Sequence, residues 1–193
     1  DGYTPTMVAV FGSFSIIAVA ALKRATRVGL ITIYKALAET SMRMVPVAGA
    51  CAAAGLVIAG ITMTGLAAKF AHLIYGITDA QVFWTLIIAA MVTVVLGLGM
   101  PTPSAYILAA VLIGPLMEEL KIHVLPGHLF LLYFAVMSAI TPPVAVAAYA
   151  ASSIAEDNPL AIAAHAVKLA LAAFIVPFAF VYGPELLWMG PIW

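Results

Sequence analysis

The sequence contains very little charge. Asp and Glu contribute 8 residues and Lys and Arg another 8 among 193, so that 8% of the chain is charged and 65% is hydrophobic. A soluble domain carries roughly 25% charged and 45–50% apolar residues. The composition therefore excludes an ordinary soluble domain and predicts an integral membrane protein. Because the net charge is zero, the basic excess that attracts nucleic acid is also missing, and no nucleic acid partner is expected.

Cysteine is nearly absent as well. The single Cys51 has no second cysteine with which to form an intrachain disulfide, and in the run CAAAGLV it is interpreted as a small interior residue of a packed helix. The sequence lacks the His-Glu-x-x-His pattern of membrane metalloproteases. A dyad of Ser138 and His165 has no support in the local sequence. We therefore expect no enzyme.

Charged residues divide the chain into long apolar blocks. Thr4 to Leu22 is long enough for a membrane-spanning helix, which needs about 20 residues. The block ends at the basic cluster of residues 23–27, which the positive-inside rule places in the cytoplasm. Met44 to Ala68 predicts a second span and Leu160 to Trp188 a last one. The pattern indicates a multi-pass membrane protein.

Residues 28–43 predict an amphipathic helix. Lys35, Glu39 and Arg43 follow one another at four-residue spacing and therefore share one helical face. We expect this helix to lie as an arm on the cytoplasmic surface of the membrane. The alternative is a cytoplasmic extension of the next transmembrane helix.

The stretch from Ala80 to Met117 carries no charge but is interrupted in its middle by GLGMPTP, residues 97–103. A continuous helix of that length would reach well over ~50 Å at about 1.5 Å per residue. The break leaves two arms of roughly 15–18 residues, each short for a full crossing. A re-entrant hairpin over residues 80–120, entering and leaving on one side of the membrane, fits both observations. Two complete spans joined by a tight turn are the alternative.

A second break, Thr141-Pro142-Pro143, lies inside the apolar stretch from Gly127 to Ala155. Proline removes an amide donor and clashes with the preceding turn, so residues 121–158 predict one crossing made of two half-helices. Irregular backbone at membrane depth is tolerated only where it is buried in protein or lines a polar cavity. Paired breaks therefore indicate the substrate and ion site of a secondary transporter. Simple kinks, satisfied by neighbouring Ser and Thr, are the alternative.

The residues at the two breaks suit a cation and an anion together. Broken helices leave amides and carbonyls without partners, and their N-termini favour anions while exposed carbonyls favour cations. Gly97 and Gly99 allow close approach of the backbone to an ion or to another helix. Sodium is a hard cation and finds oxygen ligands there without a carboxylate. The residues that bring hydroxyl oxygens to the breaks are Thr102, Ser104, Ser138 and Thr141.

Two long stretches carry a family resemblance. GLGMPTPSAYILAAVLIGPLMEEL and HLFLLYFAVMSAITPPVAVAAYAAS, followed by FIVPFAFVYGPELL, closely resemble the large membrane subunit of tripartite ATP-independent periplasmic (TRAP) transporters. They are most similar to the fused permeases that work with TAXI-type binding proteins. The resemblance covers nearly the whole chain and identifies it as the C-terminal half of that subunit, one of two inverted repeats. Since the chain also starts without Met, we expect a segment of a longer protein.

The resemblance implies an all-α integral membrane protein with an elevator mechanism, in which a mobile domain carries hairpins and broken helices past a fixed scaffold. Residues 1–79 would form scaffold-type helices including the arm, 80–120 the hairpin, 121–158 the broken helix and 159–193 the C-terminal transmembrane helix. A sodium gradient would drive uptake of an organic acid, and sodium would be the coupling ion with no other cofactor.

The same resemblance implies partners and a location. A periplasmic binding protein would deliver the substrate. The N-terminal half of the permease and a small membrane subunit, separate or fused, would complete the transporter in the cytoplasmic (inner) membrane of a bacterium or archaeon.

Site residues follow from the resemblance in the same way. Substrate contacts would come from Thr102, Ser104, Thr141 and Pro142. Sodium contacts would come from Gly97, Gly99, Thr102, Ser138 and Thr141. The chain departs from relatives at Pro103, where many have Thr and where proline would stiffen the tip or shift a ligand onto Ser104. It departs again at Ala145, where other branches often have Gly.

Two other functions share part of this pattern. A sodium-coupled carboxylate carrier of the broader ion-transporter superfamily, working without a binding protein, would use hairpins of the same physical design. A channel or passive structural subunit is disfavoured, because neither a ring of charges nor a polar helix face is visible. Only the exact residues of the motifs and a neighbouring gene for a binding protein would distinguish the carrier from the tripartite system.

Overall fold

The computed structural model describes residues 4–22 and 29–189, and these residues form α-helices and their connections without a β-strand. The predicted all-α class is therefore confirmed for the described ranges. The helices are α1 Pro5–Leu22, α2 Leu30–Thr64, α3 Leu66–Ile77, α4 Val82–Gly97, α5 Thr102–Glu119, α6 Val124–Met137, α7 Val146–Ala155, α8 Pro159–Leu169 and α9 Leu171–Tyr182. A short 3-10 helix, Pro184–Leu187, follows α9. The basic cluster at 23–27 and residue 28, where the arm was predicted to begin, lie outside the described residues.

The chain divides into two compact units, residues 1–47 and residues 48–193. In the first unit, α1 and the first turns of α2 line an apolar groove that includes Val10, Phe14 and Ile33. The guanidinium of Arg43 lies 2.6 Å from the carboxylate of Glu39. These two side chains therefore share one face of the helix, as their four-residue spacing predicts.

Residues 30–64 form one continuous helix, so the prediction of a separate arm helix over 28–43 is wrong as to its C-terminal end. Lys, Glu and Arg are good helix formers, and the helix runs on past Arg43 and through Pro46. It ends at Thr64, where Gly65 adopts a left-handed conformation with φ 63°. The alternative, an extension of the following transmembrane helix, matches these bounds. The location of the first turns on the membrane surface stays a prediction.

In the second unit, the hairpin of α4 and α5 packs against α6, while α3 packs on α5 and α9 packs on α6. Leu86 on α4, Ile113 on α5 and Phe130 on α6 are fully buried at the centre. The ring of Phe178 on α9 meets that of Phe130 edge-on, with centroids 5.2 Å apart. This aromatic contact ties the last helix to the hairpin bundle.

The C-terminal segment, predicted as a single span over Leu160 to Trp188, is bent between two helices. Helices α8 and α9 meet at an angle of 43°, because Ala170 has ψ 8° instead of a helical value and its carbonyl accepts an i+3 bond from the Ala173 amide at 2.8 Å. Asn158 caps α8 by accepting from the Leu160 amide at 2.9 Å.

Length and apolar composition show which helices could cross a membrane. Within the described ranges, α2 meets both criteria, and the bent pair of α8 and α9 meets them if it counts as one span. Helices α1, α3, α4, α6 and α7 are shorter apolar segments. The composition of the helices thus agrees with a membrane protein.

Candidate functional site

The first break separates α4 from α5 at the tip of the hairpin. Helix α4 ends at Gly97 and α5 begins at Thr102, and the Met100 amide closes the turn by donating to the Gly97 carbonyl at 3.2 Å. Gly99 has φ 77°, a left-handed value that glycine adopts without strain. Pro103 occupies the first turn of α5, where its missing amide hydrogen would have had no helical partner.

The second break separates α6 from α7. Its backbone bonds include those from the Thr141 amide to the Ser138 carbonyl at 3.2 Å, from the Ala145 amide to the Thr141 carbonyl at 3.1 Å and from the Ala147 amide to the Ala139 carbonyl at 3.0 Å. Ala145 is buried and has φ 35°. A left-handed position of this kind favours glycine, which gives a physical reason for the departure noted at Ala145.

The two breaks lie against each other. A Cβ built on Gly97 would lie 2.8 Å from the Ser138 Cβ, and closer still to its Oγ. A Cβ built on Gly99 would lie 3.5 Å from Cγ1 of Val144, in the second break. Because real Cβ atoms essentially never approach other atoms within 3 Å, only glycine at position 97 allows α4 to come this close to α6.

The hydroxyl groups of the second break already have acceptors for their protons. Ser138 donates to the Ala135 carbonyl at 2.7 Å, and Thr141 donates to the Met137 carbonyl at 2.7 Å. A hydroxyl oxygen has two lone pairs besides its O–H donor. Both oxygens therefore keep lone pairs that can accept an N–H group or coordinate a cation.

The hydroxyl groups of the first break have different surroundings. Ser104 is fully buried, and its Oγ lies 3.3 Å from the Sγ of Cys51 on α2. The Thr102 side chain is partly buried and forms no side-chain hydrogen bond to another described residue. In the second break, Pro142 is exposed and precedes a cis peptide bond to Pro143. The structure thus joins Gly97 with Ser138, whereas the Ser104 hydroxyl faces α2.

The helix ends at the breaks create an uneven electrostatic field. Helices α4 and α6 both terminate at the Gly97–Ser138 contact, where their partial negative ends suit a cation. The N-termini of α5 and α7 follow a few residues later on each chain segment and suit an anion. The described residues contain no cluster of three His, Cys, Asp or Glu side chains that could hold a metal ion. At the two breaks, a cation could be coordinated by hydroxyl and carbonyl oxygen atoms.

The sequence assigned no role beside the breaks to two residues, Thr93 and Cys51. Thr93 on α4 is fully buried one turn before Gly97, and its hydroxyl donates to the Ala89 carbonyl at 2.7 Å. The four-residue spacing from Gly97 could have indicated it. Cys51 gave no such signal, because it lies 53 positions before Ser104 in the sequence.

Within the described ranges, apolar helices with two interruptions that meet in the interior are typical of a membrane transport protein. Residues 1–191 match the family model of the tripartite ATP-independent periplasmic transporter, DctM component, and the chain belongs to this family. It is therefore a TRAP transporter permease component, which confirms the family predicted from the motifs and points away from an enzyme. Membership implies a periplasmic binding protein and further membrane subunits as partners. No curated protein and no solved structure gives a significant match.

Proposed function

We propose that this chain forms part of the permease of a sodium-coupled organic-acid importer, with ion and substrate held at the two breaks. One observation carries the proposal. Gly97 fits against Ser138 so closely that the hairpin tip and the interruption of α6 form a single locus. If the two breaks were unrelated kinks, a close contact between them that requires glycine at position 97 would not be expected.

Sodium suits the side of this locus where α4 and α6 end. The Ser138 and Thr141 hydroxyls donate to carbonyls of their own helix and keep lone pairs that could coordinate a cation. The two helix C-termini add partial negative charge. The sodium contacts proposed are Gly97, Gly99, Thr102, Ser138 and Thr141, those at the glycines being through backbone oxygen.

A carboxylate suits the helix N-termini. Residues 80–117 contain no Lys or Arg, so the anion of the substrate would be met by amides, hydroxyls and the N-terminal end of α5. The substrate contacts proposed are Thr102, Ser104, Thr141 and Pro142. Thr102 opens α5 with its hydroxyl uncommitted, and Ser104 follows in the same turn, close to α2.

The finer parts of the assignment follow the family resemblance. The chain is proposed to be the C-terminal half of a fused permease of the TAXI-associated type, in the cytoplasmic membrane of a bacterium or archaeon, crossing it several times. Residues 1–79 belong to the scaffold, residues 80–120 and 121–158 to a transport domain that moves as an elevator, and 159–193 to the last transmembrane segment. The binding protein delivers the substrate, and the N-terminal half completes the site.

The proposal is tested by uptake into proteoliposomes that contain the full-length permease, with its binding protein and a pool of labelled carboxylates outside. Uptake is measured with and without an inward sodium gradient. Thr141→Val removes the hydroxyl at nearly constant shape, and Thr141→Ser is the matched control that retains it. We expect Thr141→Val to raise the sodium concentration for half-maximal uptake by about tenfold, the equivalent of one lost charge-assisted hydrogen bond or ligand, and Thr141→Ser to remain near wild type.

Each outcome of this experiment has a distinct meaning. Uptake that requires both sodium and the binding protein, and that weakens in Thr141→Val alone, supports the proposal. Uptake that is indifferent to the binding protein favours the stand-alone carrier. Passive flux that ignores the sodium gradient overturns the proposal in favour of a channel.

A further inference from the structure

Helix α2 contacts the rest of the second unit through one stripe of its surface. Ala54 and Ile61 are buried. Cys51, which precedes Ala54, and Ile58, which lies between Ala54 and Ile61, are partly buried. Steps of three and four residues place all four positions on one face of the helix. Ile61 belongs to the hydrophobic core cluster that includes residues of the hairpin, and Ile58 packs against that cluster.

Cys51 forms the polar end of that stripe. Its Sγ lies 3.3 Å from the Oγ of Ser104, and either atom could be the donor. Among the described residues, this is the one side-chain hydrogen bond that joins α2 to the hairpin, and the Ser104 hydroxyl has no second side-chain partner there. A serine hydroxyl otherwise rotates to suit its surroundings, and the thiol is the side-chain partner available to it here.

Ser104 is close to the contact between the two breaks. It is fully buried, as is Ala105 beside it. A Cβ built on Gly97 would lie 3.4 Å from the Ala105 Cβ. The turn of α5 that carries Ser104 therefore packs directly on the end of α4, where Gly97 meets Ser138. A change in the direction of the Ser104 hydroxyl would therefore occur next to the Gly97–Ser138 contact.

We propose that Cys51 is a positioning residue of the transport site, which fixes the direction of the Ser104 hydroxyl without itself touching the cargo. The proposal rests on the proposed function, because it assumes that Ser104 serves the site. It assigns a role to α2, a helix outside both breaks. Cys51 thereby links the predicted scaffold segment with the tip of the predicted hairpin.

The test uses the full-length permease with its binding protein in proteoliposomes. Cys51→Ser retains a group that donates and accepts, whereas Cys51→Ala and Cys51→Val do not. The readouts are the sodium and substrate concentrations for half-maximal uptake, recorded separately from the maximal rate. We expect Cys51→Ala and Cys51→Val to raise one or both of these concentrations by about three- to tenfold, as for one lost hydrogen bond, and Cys51→Ser to remain within about twofold of wild type.

A double-mutant cycle with Ser104→Ala separates positioning from packing. If Cys51 acts through Ser104, the double variant Cys51→Ala/Ser104→Ala needs the same sodium and substrate concentrations for half-maximal uptake as Ser104→Ala alone. The inference is overturned if the increases caused by the two single substitutions multiply in the double variant. It is also overturned if Ser104→Ala raises the half-maximal concentrations while Cys51→Ala leaves them at the wild-type value.

The failure of this inference is distinguishable from failure of the proposed function. If Ser104→Ala behaves as wild type, there is no hydroxyl to position and the inference falls. The proposed function is then still tested separately, by the sodium dependence of wild-type uptake and by the comparison of Thr141→Val with Thr141→Ser. If Cys51→Ala does not fold, Cys51→Val and Cys51→Ser carry the same comparison, since they match cysteine more closely in size.

Discussion

Gly97 and Ser138 are complementary in size, the one lacking a side chain where the other inserts its hydroxymethyl group. Gly97→Ala would place a methyl group within 2.8 Å of the Ser138 Cβ, so α4 and α6 must separate. Overpacking of this kind costs about 1–3 kcal/mol. We expect a lower melting temperature of the full-length permease in detergent and a loss of sodium-driven uptake.

The cause can be checked by compensation. Ser138→Gly removes the atoms that clash, so Gly97→Ala/Ser138→Gly should recover part of the melting temperature lost in Gly97→Ala. Gly114→Ala on α5 is the matched control, because a Cβ there meets nothing within 4 Å and alanine favours a helix by about 1 kcal/mol over glycine. Equal destabilisation by Gly97→Ala and Gly114→Ala would contradict the size argument.

Gly99 is expected to tolerate asparagine better than alanine. Its φ of 77° costs a residue with a Cβ about 1–2 kcal/mol, and the position is exposed. Asn reaches this conformation more readily than Ala, because its side chain bonds locally. Gly99→Ala should therefore lower the thermal stability of the permease more than Gly99→Asn does. The prediction fails if the larger residue is the more disruptive one.

Ala145 should accept glycine but not valine. Glycine relieves a left-handed strain of about 1–2 kcal/mol but loses a buried methyl worth about 0.8 kcal/mol and adds freedom to the unfolded chain. These terms nearly cancel. Valine adds bulk to a junction formed with Ala148 and Ala163 and is poorly suited to positive φ. Stability measurements should place Ala145→Gly within about 1 kcal/mol of wild type and Ala145→Val well below it.

Asn158 should stabilise the start of α8. Its side chain accepts from the Leu160 amide at 2.9 Å, and loss of such a cap typically costs about 1 kcal/mol. Asn158→Ala is expected to lower the melting temperature, and Asn158→Asp, which also caps, should retain it. Protease sensitivity at residues 156–160 would report the same loss locally. Similar behaviour of the Ala and Asp variants would show that the cap is unimportant.

The sequence predicted both breaks because their causes are local. Glycine and proline around positions 97–103 and at 142–143 disfavour a helix wherever they occur. The boundary at Arg43 was placed wrongly because charge interrupts an apolar pattern without interrupting a helix. The bend at Ala170 lies between leucines and has no local signature.

The meeting of the breaks required the structure. Gly97 and Ser138 are 41 positions apart by their residue numbers, and their contact depends on how α4, α5 and α6 pack. The Cys51–Ser104 contact is likewise set by packing, since nothing in CAAAGLV distinguishes a thiol that faces a serine from one that faces lipid. The roles of these residues in binding stay predictions until uptake is measured.

The lack of charge in residues 80–117 has an electrical consequence for the proposed transport cycle. Residues 80–117 bring no ionised side chain, so the stretch from α4 to Met117 of α5 adds no fixed charge to the empty carrier. A sodium ion bound alone would then leave an unbalanced charge in a low-dielectric interior, which is strongly disfavoured. Sodium and carboxylate would neutralise each other there, and residues 80–117 offer no charged side chain that could replace either one, so this stretch disfavours leakage of one without the other.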